Sequence, residues 1–291
     1  MPELPEVETV KRGLNKVTLH QVIQGGEVLL ERTVAHPVSI DGFLAPLAGQ
    51  AIAQWQRRGK YLLAALTDVH NALPEEPLMA PSGGWLGVHL RMTGQLLWLD
   101  PTEPVQKHTR VRLFFETGKE LRFVDQRTFG QMWWVPPGIP PEQVMTGLQQ
   151  LGPEPFSEEF SISYLYNQLQ NRQRPIKNAL LDQAIVAGIG NIYADEALFL
   201  SGIRPQTLCS KINRKKFQQL HGNILTVLAA SIEAQGTTFS SFRNVEGVNG
   251  NYGRVAWVYG RDGEACRTCG AVIERLRLAG RSAHFCPKCQ K

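Results

Sequence analysis

The first half of the chain shows the apolar and polar patterning of β-strands, preceded by one amphipathic segment. Val7, Val10, Leu14 and Val17 recur at helical spacing and Pro5 suits a first turn, so a helix is predicted over residues 5 to about 17. Because little helix separates the strand-like segments that follow, they favour an antiparallel sandwich over a βαβ fold. These segments are residues 27–35, 51–66, 85–99, 110–116, 121–125 and 131–135.

The second half of the chain is predicted to be mostly helical. The stretch VPPGIPPEQ at 135–143 holds four prolines in nine residues, which indicates a domain boundary or a stiff linker. Residues 71–84 and 236–253 are rich in turn-forming residues and are predicted as loops. The expected fold class is therefore α+β with two domains. Helical patterns cover residues 162–171, 176–183, 193–201 and 214–235.

Composition narrows the classes of protein to which the chain can belong. Hydrophobic residues make up 43% of the 291 residues, enough for two cores. No apolar run approaches the roughly 20 residues that span a bilayer, and the acidic N-terminus lacks the apolar region of a secretory signal. We therefore expect a cytoplasmic, nucleoid-associated protein without a membrane partner.

Positive charge is concentrated near the C-terminus. The formal net charge is +5, and residues 261–291 carry seven Lys or Arg against three Asp or Glu. A local basic patch is expected of a protein that binds a polyanion, although an ordinary solvated surface has the same composition.

Four cysteines in this basic segment have the spacing of a metal site. The pattern Cys266-x2-Cys269-x16-Cys286-x2-Cys289 pairs two CxxC turns across a length that suits a hairpin. Four thiolates complete a tetrahedral Zn²⁺ shell without an open position, which predicts one structural zinc ion. Two disulfides or unrelated buried thiols are the alternatives. Cys209 stands apart from this group.

The N-terminus offers a candidate nucleophile. Removal of Met1 would expose the secondary amine of Pro2, and an α-amino group has a pKa of about 7.7–8.0, so part of it is unprotonated near neutral pH. Such an amine can attack a sugar carbon and form an iminium, with Glu3 as proton donor or acceptor. The same residues also make a good helix start, and residue types alone leave both interpretations open.

A glycine turn separates two helical segments of the second half. Gly188 and Gly190 would let backbone amides approach a phosphate, and the Asn191 side chain would add a donor. A plain helix–helix connection explains this turn equally well.

Seven blocks of sequence, taken together, resemble the formamidopyrimidine-DNA glycosylase family. No single block is specific, but their joint occurrence, in the family's order, extends from Pro2 to the four-cysteine segment. The blocks are PELPEVETV at 2–10, RRGKYL at 57–62, HLRMTG at 89–94, DQRTFG at 125–130, LGPEP at 151–155, LLDQAIVAGIGNIYADEALF at 180–199 and VYGRDGEAC at 258–266.

This resemblance implies that successive segments of the chain have different functions. A monomer would bind duplex DNA containing oxidised bases or abasic sites in a cleft between its two domains. The implied segments are a β-sandwich catalytic domain at 1–137, a linker at 138–155, a helix–two-turn–helix DNA-binding domain at 156–235, a lesion-capping loop at 236–257 and a zinc finger at 258–291.

The resemblance also implies roles for individual residues. Pro2 is the expected nucleophile, Glu3 protonates the deoxyribose ring oxygen, and Lys60 and Arg281 join them in the catalytic site, where both also grip phosphates. Arg127 and its neighbours would fill the space that an extruded base leaves in the duplex. The implied DNA-binding residues are Glu6, which supports the N-terminal site, His89 and Asn191, which hold phosphates, Met92, Arg127 and Phe129, which fill the vacated space, and Tyr252 of the capping loop.

The implied function is that of a bifunctional DNA glycosylase and abasic-site lyase for oxidised purines, acting through a Pro2 imine with β- and δ-elimination. An endonuclease VIII-type enzyme for oxidised pyrimidines is the nearest alternative, although the PELPEV start and the DQRTFG block argue against it. A non-catalytic zinc-finger DNA-binding protein would need no free Pro2. A metal-dependent nuclease would need a cluster of Asp and Glu with metal-ligand spacing, and none stands out in the sequence.

Overall fold

The chain divides into two units in a computed structural model, which describes residues 1–68, 81–238 and 242–291. Unit 1 comprises Met1–Gln149 and Gln235–Gly250, and unit 2 comprises Gln150–Ala234 and Asn251–Lys291. The segment 236–257 that the sequence analysis treated as one loop is therefore shared between the units. Most of the predicted loop at 71–84 lies outside the described residues.

Unit 1 contains two β-sheets. One sheet has the strand order β1-β7-β8-β6 and the other the order β2-β9-β5-β4-β3. Paired strands in both sheets are antiparallel, except that β2 runs parallel to β9. The elements in chain order are α1 (Leu4–Val17), β1 (Ile23–Val28), β2 (Val34–His36), α2 (Ile40–Leu44), β3 (Gln50–Arg58), β4 (Tyr61–Asp68), β5 (Gly84–His89), β6 (Gly94–Leu99), β7 (Thr109–Phe115), β8 (Glu120–Asp125), β9 (Gln131–Val135) and α3 (Pro141–Val144).

Three of the predicted strand segments were wrong in their extent. Segment 51–66 is the β3–β4 hairpin, and segment 85–99 contains β5 and β6 with a turn between them. Apolar residues are frequent in both strands of each pair, and the turns between them lie in short, mostly polar stretches at 56–60 and 91–93 that the predicted segments ran across. Gly59 begins the two-residue β3–β4 turn at φ +56°, which glycine adopts without strain. Segment 27–35 is interrupted by a 3-10 turn at Glu31–Thr33.

The core of unit 1 is formed by both sheets together with α1. Val7, Val10 and Leu14 are fully buried in a cluster that contains apolar residues of both sheets. The same cluster includes Phe242 and Val245 from the second segment of the unit. The antiparallel sandwich and its N-terminal helix are thus confirmed, and burial of every residue from Leu4 to Val10 fixes the start of the chain within unit 1.

Unit 2 contains four helices followed by a β-hairpin. Strands β10 and β11 pair antiparallel, and α6 is buried from Ile192 to Phe199. The predicted helices are confirmed: three of them end earlier than predicted, and the one predicted at 193–201 spans Asn191–Leu200. No helix of the described residues is both long enough and apolar enough to cross a membrane. The elements are α4 (Ile162–Leu169), α5 (Ile176–Leu180), α6 (Asn191–Leu200), α7 (Arg214–Glu233), β10 (Glu274–Leu278) and β11 (Arg281–Phe285).

Candidate functional site

Two buried carboxylates meet at the N-terminus of α1. Glu3 caps the helix and Glu6 lies in its first turn, and their exposed fractions are 2% and 1%. The Glu3 N–H donates to Glu6 Oε2 at 2.8 Å, while the Glu3 side chain accepts from the Glu6 backbone, which forms a capping box. Glu6 Oε1 also accepts from the Thr237 N–H at 2.8 Å. Both Glu6 oxygens are thus occupied by backbone donors and not offered to DNA, and Glu6 fastens Thr237 to the start of the chain.

The amino terminus lies within reach of charges of both signs. Burial lowers the pKa of the Met1 amine below its ordinary value, Glu3 and Glu6 act to raise it, and Lys60 and Arg127 act to lower it. Burial and nearby cations both favour the neutral form of an amine. Removal of Met1 would place the Pro2 amine next to these same groups, in surroundings that suit a nucleophile.

Lys60 and His89 lie on neighbouring parts of one sheet. Lys60 occupies the β3–β4 turn and His89 ends β5, and both are buried. The His89 ring meets the Tyr61 ring edge to face at 4.4 Å, and His89 Nδ1 accepts from the Arg91 N–H at 2.9 Å. Burial, followed by the charges of Arg91 and Lys60, lowers the pKa of His89 to about 3. His89 is therefore neutral and carries its proton on Nε2, where it can serve as a donor.

Two loops carry the residues predicted to fill the space of an extruded base. Met92 follows β5, whereas Arg127 and Phe129 follow β8. The Arg127 guanidinium carbon lies 5.1 Å from the centroid of the Phe129 ring. Phe129 is 53% exposed, and it lines a cavity of about 480 Å³ together with Met92 and Met1. With this exposure Phe129 is not a residue of the core.

A buried carboxylate that the sequence analysis did not single out connects these two loops. Asp125 is 1% exposed, and it accepts hydrogen bonds from the Thr93 hydroxyl and from the Arg127 and Gly130 N–H groups. Both Asp125 and Thr93 belong to blocks that carried the family resemblance. Their position in these blocks was the sequence signal that could have identified them as functional residues.

In unit 2, the start of α6 meets the β10–β11 hairpin. Asn191 Nδ2 lies 3.3 Å from Ser282 Oγ and 3.5 Å from the Tyr259 hydroxyl. Ser282 directly follows Arg281, which is exposed at the first position of β11. The structure thus places Asn191 against Ser282, the residue that follows Arg281, and adds Tyr259, which the sequence analysis missed.

The glycine turn before α6 is held by a glutamine side chain. Gln183 Oε1 accepts from the Gly188 N–H at 3.0 Å, and Gln183 Nε2 donates to the Ile189 carbonyl at 2.8 Å. The Gly188 amide is therefore already used within the protein, contrary to the expectation that it faces a phosphate. The Asn191 side-chain amide remains the candidate donor of this turn.

Tyr252, predicted to contact DNA from the capping loop, belongs to the interior of unit 2. It is 4% exposed, its ring meets the Tyr193 ring edge to face at 5.7 Å, and its hydroxyl donates to Glu196 Oε2. Glu196 also accepts three successive backbone N–H groups at residues 257–259. The predicted DNA contact does not fit this placement, because Glu196 on α6 holds the segment inward and makes Tyr252 a packing residue.

A buried polar network connects α5, α6 and the hairpin. Lys177 Nζ lies 2.6 Å from Asp195 Oδ1 and donates to the Ser282 carbonyl at 2.5 Å. Asp195 Oδ2 accepts from the His284 N–H at 2.9 Å. These contacts fix strand β11, which begins at Arg281.

The four clustered cysteines converge on one point. Their sulfur atoms all lie within 4.8 Å of one another, and the Cys266–Cys289 and Cys269–Cys286 sulfurs are 3.9 and 3.5 Å apart. A disulfide needs about 2.05 Å, so this is the arrangement of a four-thiolate metal site and not of two disulfides. Burial acts to raise the pKa of Cys266, but hydrogen bonds from the backbone at Thr268 and Cys269 lower it to about 7.

Together, these features define a class of protein. A β-sandwich unit carries a candidate amine nucleophile and the Glu3 carboxylate at its N-terminus, and a helical unit carries a four-cysteine finger. The family model described as "Formamidopyrimidine-DNA glycosylase N-terminal domain" matches residues 1–132, the corresponding H2TH domain matches 151–243, and "Zinc finger found in FPG and IleRS" matches 263–291. The chain belongs to the formamidopyrimidine-DNA glycosylase family, whose members are DNA glycosylases with AP lyase activity.

Relatives match over the whole chain. It is 63% identical to the formamidopyrimidine-DNA glycosylase of a Nostoc species, with 100% of both chains covered. It is 62% identical to that of Acaryochloris marina, covering 100% of this chain and 99% of the relative.

Solved structures show the same fold. A point mutant of Lactococcus lactis FPG in complex with Fapy-dG-containing DNA has 33% identity and a TM-score of 0.87, with 100% of both chains covered. The FPG protein of Thermus thermophilus has 37% identity and a TM-score of 0.84, with 99% of this chain and 98% of that chain covered. The resemblance and the α+β fold inferred from the sequence are confirmed.

Proposed function

We propose that the protein removes oxidised purines, such as 8-oxoguanine and formamidopyrimidines, from duplex DNA and then cleaves the resulting abasic site. The observation that carries this proposal is that the buried Glu3 and Lys60, together with Arg127, lie near enough to the amino terminus to act on the pKa of its amine. Its support from relatives is that Lactococcus lactis FPG has been solved with Fapy-dG-containing and abasic-site DNA.

The Pro2 amine, freed by removal of Met1, is the nucleophile of the proposed reaction. Its lone pair forms a bond to C1′ of the damaged nucleoside, and the glycosidic bond breaks with its electron pair leaving on the base. Glu3 protonates the ring oxygen as the sugar opens to an iminium. Loss of a proton from C2′ then expels the 3′ phosphate, and a second elimination expels the 5′ phosphate.

Three side chains of unit 1 stabilise the duplex from which the nucleotide has been extruded. Extrusion costs a few kcal/mol of unpairing and unstacking. Phe129 and Met92 present apolar surface that replaces lost stacking. Arg127 donates to the acceptors of cytosine opposite the lesion but meets a donor on adenine, which gives the enzyme its preference for the opposite base.

Each unit has its own candidate groups for contacts with the phosphates around the lesion. In unit 1, Lys60 supplies a charge and neutral His89 supplies an Nε2–H donor. In unit 2, Asn191, Tyr259 and Arg281 supply donors at the junction of α6 and the hairpin.

The metal of the finger is proposed to be one Zn²⁺ ion. Cys266, Cys269, Cys286 and Cys289 supply four thiolates, which zinc prefers in closed tetrahedral sites. With no position left for a water molecule, the ion stabilises the hairpin and takes no part in the reaction.

Borohydride trapping tests the proposal. The enzyme is incubated with duplexes containing 8-oxoguanine opposite cytosine, and reduction of the iminium should leave a stable protein–DNA adduct that peptide mapping places on Pro2. A chain that retains Met1 is the matched control, because its Pro2 nitrogen is an amide. That control should give neither adduct nor strand cleavage while still binding an abasic-site analogue.

Two results would contradict the proposal. An adduct on Lys60 would exclude Pro2 as the nucleophile, and the absence of any adduct or base release would exclude the activity. Substrates with oxidised pyrimidines belong in the same panel, since Lactococcus lactis FPG has also been solved with such DNA. Faster release of pyrimidines than of purines would favour the endonuclease VIII-type alternative.

A further inference from the structure

Asp125 holds the two loops that carry Met92, Arg127 and Phe129. The Thr93 hydroxyl donates to Asp125 Oδ1, while the Arg127 N–H is shared between Thr93 Oγ1 at 2.9 Å and Asp125 Oδ1 at 3.2 Å. Thr93 directly follows Met92 in the chain. One hydroxyl thus joins the Met92 loop both to the Arg127 backbone and to the carboxylate that ends β8.

The other oxygen of Asp125 closes the far end of the second loop. Asp125 Oδ2 accepts from the Gly130 N–H at 2.7 Å. A Cβ at Gly130 would lie 2.4 Å from the Phe123 ring and 3.1 Å from Asp125 Oδ2, so the backbone at this point approaches closer than a side chain allows. The four-residue loop 126–129 is therefore gripped at both ends by one buried carboxylate.

The loop between these two anchors is held in a strained conformation. Thr128 has φ +57°, in the left-handed region that a β-branched residue rarely enters. Its hydroxyl accepts a hydrogen bond from the Arg32 guanidinium. Such a conformation persists where the surroundings over-determine it, and it sets the direction in which the exposed Phe129 leaves the backbone.

We propose that Asp125 and Thr93 form a positioning clasp that keeps Met92, Arg127 and Phe129 in fixed positions relative to one another before DNA is bound. This inference rests on the proposed function, in which these three side chains enter the duplex. The clasp touches neither the sugar nor the amine. It lowers the cost of ordering the two loops when the nucleotide is extruded, and it aims Arg127 at the opposite base.

Thr93→Val tests the clasp, because valine keeps the shape of threonine and removes the hydroxyl. Excision of 8-oxoguanine from a duplex should fall about tenfold, as expected when a buried donor and acceptor lose their partner. The ratio of excision opposite cytosine to excision opposite adenine should fall as well. Cleavage of an abasic site in single-stranded DNA should stay at the wild-type rate, since no opposite base has to be read there.

Two further variants separate positioning from folding. Thr93→Ser restores the hydroxyl and should restore the cytosine preference. Thr102→Val is the matched control, because the Thr102 hydroxyl also donates to an aspartate, Asp100, at 2.7 Å on another loop of unit 1. It should behave as wild type. The cytosine-to-adenine ratio does not depend on how much of each variant is folded.

The clasp would be overturned if Thr93→Val kept the wild-type ratio, or if it slowed single-strand cleavage as much as duplex excision. Asp125→Asn is an independent test. The NH2 group of the asparagine would face one of the backbone N–H donors, so this variant should have a still lower cytosine-to-adenine ratio. A wild-type chain without excision activity would overturn the proposed function and the clasp with it, whereas an active wild type with an unchanged ratio in Thr93→Val would overturn the clasp alone.

Discussion

Thr237 donates its backbone N–H to Glu6 Oε1 at 2.8 Å, and the other oxygen of Glu6 holds the Glu3 N–H at the same distance. The first of these bonds joins Glu6 to a residue 231 positions later in the chain. Gly236 sits directly against it at φ +79°, where an added Cβ would lie 3.0 Å from Glu6 Cγ and Oε1. The path of the chain at 236–237 is therefore set by the first turn of α1.

Glu6→Gln should loosen this attachment. The glutamine NH2 group would face one of the two N–H donors, so one of the two bonds is lost. We expect faster hydrogen exchange at the Thr237 amide and about tenfold slower excision of 8-oxoguanine. Exchange is measured by mass spectrometry of peptides that cover Thr237. Glu8→Gln, on the same helix, is the control and should leave that amide unchanged. Unaltered exchange in Glu6→Gln would show that the hydrogen bond does not hold the segment.

Lys60→Ala and Arg281→Ala should reduce the salt dependence of DNA binding. Each phosphate contact contributes about −0.9 to the slope of log K against log salt, so each variant should be shallower by about one. The measurement is fluorescence anisotropy of an abasic-analogue duplex across a salt series. Lys119→Ala is the control, because Lys119 pairs with Asp100 at 3.4 Å. Slopes equal to the control in both variants would remove these residues from the phosphate contacts.

Cys286→Ser should release the metal and weaken DNA binding together. The loss of one thiolate opens the tetrahedral shell, and the hairpin that carries Arg281 depends on that shell. Metal content is measured by elemental analysis and affinity by anisotropy. Cys209→Ser is the matched control, since Cys209 is a buried thiol outside the cluster, and it should retain the metal. A Cys286→Ser protein with full metal content and normal affinity would contradict the assignment.

His89 should make unit 1 less stable as the pH falls below about 6.5. Its pKa of about 3 in the folded chain lies below the 6.5 of an unperturbed histidine, so the unfolded chain binds the proton first. Stability that is present above pH 6.5 is lost as the pH falls towards 3. At about pH 5 the loss attributable to His89 is about 2 kcal/mol, at roughly 1.36 kcal/mol per pH unit.

His89→Asn isolates this contribution, because asparagine keeps an acceptor near the position of Nδ1. Urea unfolding followed by tryptophan fluorescence at about pH 7.5 and about pH 5 should show about 2 kcal/mol less loss in the variant than in wild type. His20→Asn, at an exposed position, should lose as much as wild type. An equal loss in His89→Asn would mean that His89 is protonated in the folded protein.

Elements whose apolar or metal-binding residues recur at a regular spacing could be predicted from the sequence. The helical spacing of Val7, Val10 and Leu14 predicts α1, because these three side chains share the face that packs on the core. The spacing of the four cysteines predicts the finger, because two CxxC turns joined by a hairpin bring four thiolates to one metal ion. The turn at Gly59 was missed although Arg58, Gly59 and Lys60 are a polar break, because the apolar residues on both sides of it were assigned to one strand.

The orientation of single side chains depended on partners far away in the chain. Tyr252 lies in a polar, glycine-rich stretch typical of an exposed loop, yet Glu196 on α6 accepts its hydroxyl and buries it. Asp125 and Thr93 sit side by side with residues that were singled out, but their hydrogen bonds follow from the pairing of β8 with β6 and β7. No local pattern contains that information.

Phe242 and Val245 have a consequence for how the protein is made. They belong to the core of unit 1, where the Val245 carbonyl accepts from the Trp98 N–H at 3.0 Å and a Cβ on Gly13 would lie 2.5 Å from the Val245 side chain. On the ribosome, residues 1–149 emerge long before these two. The core of the N-terminal unit is therefore completed only after the chain has been synthesised past Val245, and a fragment ending at residue 149 would lack both side chains.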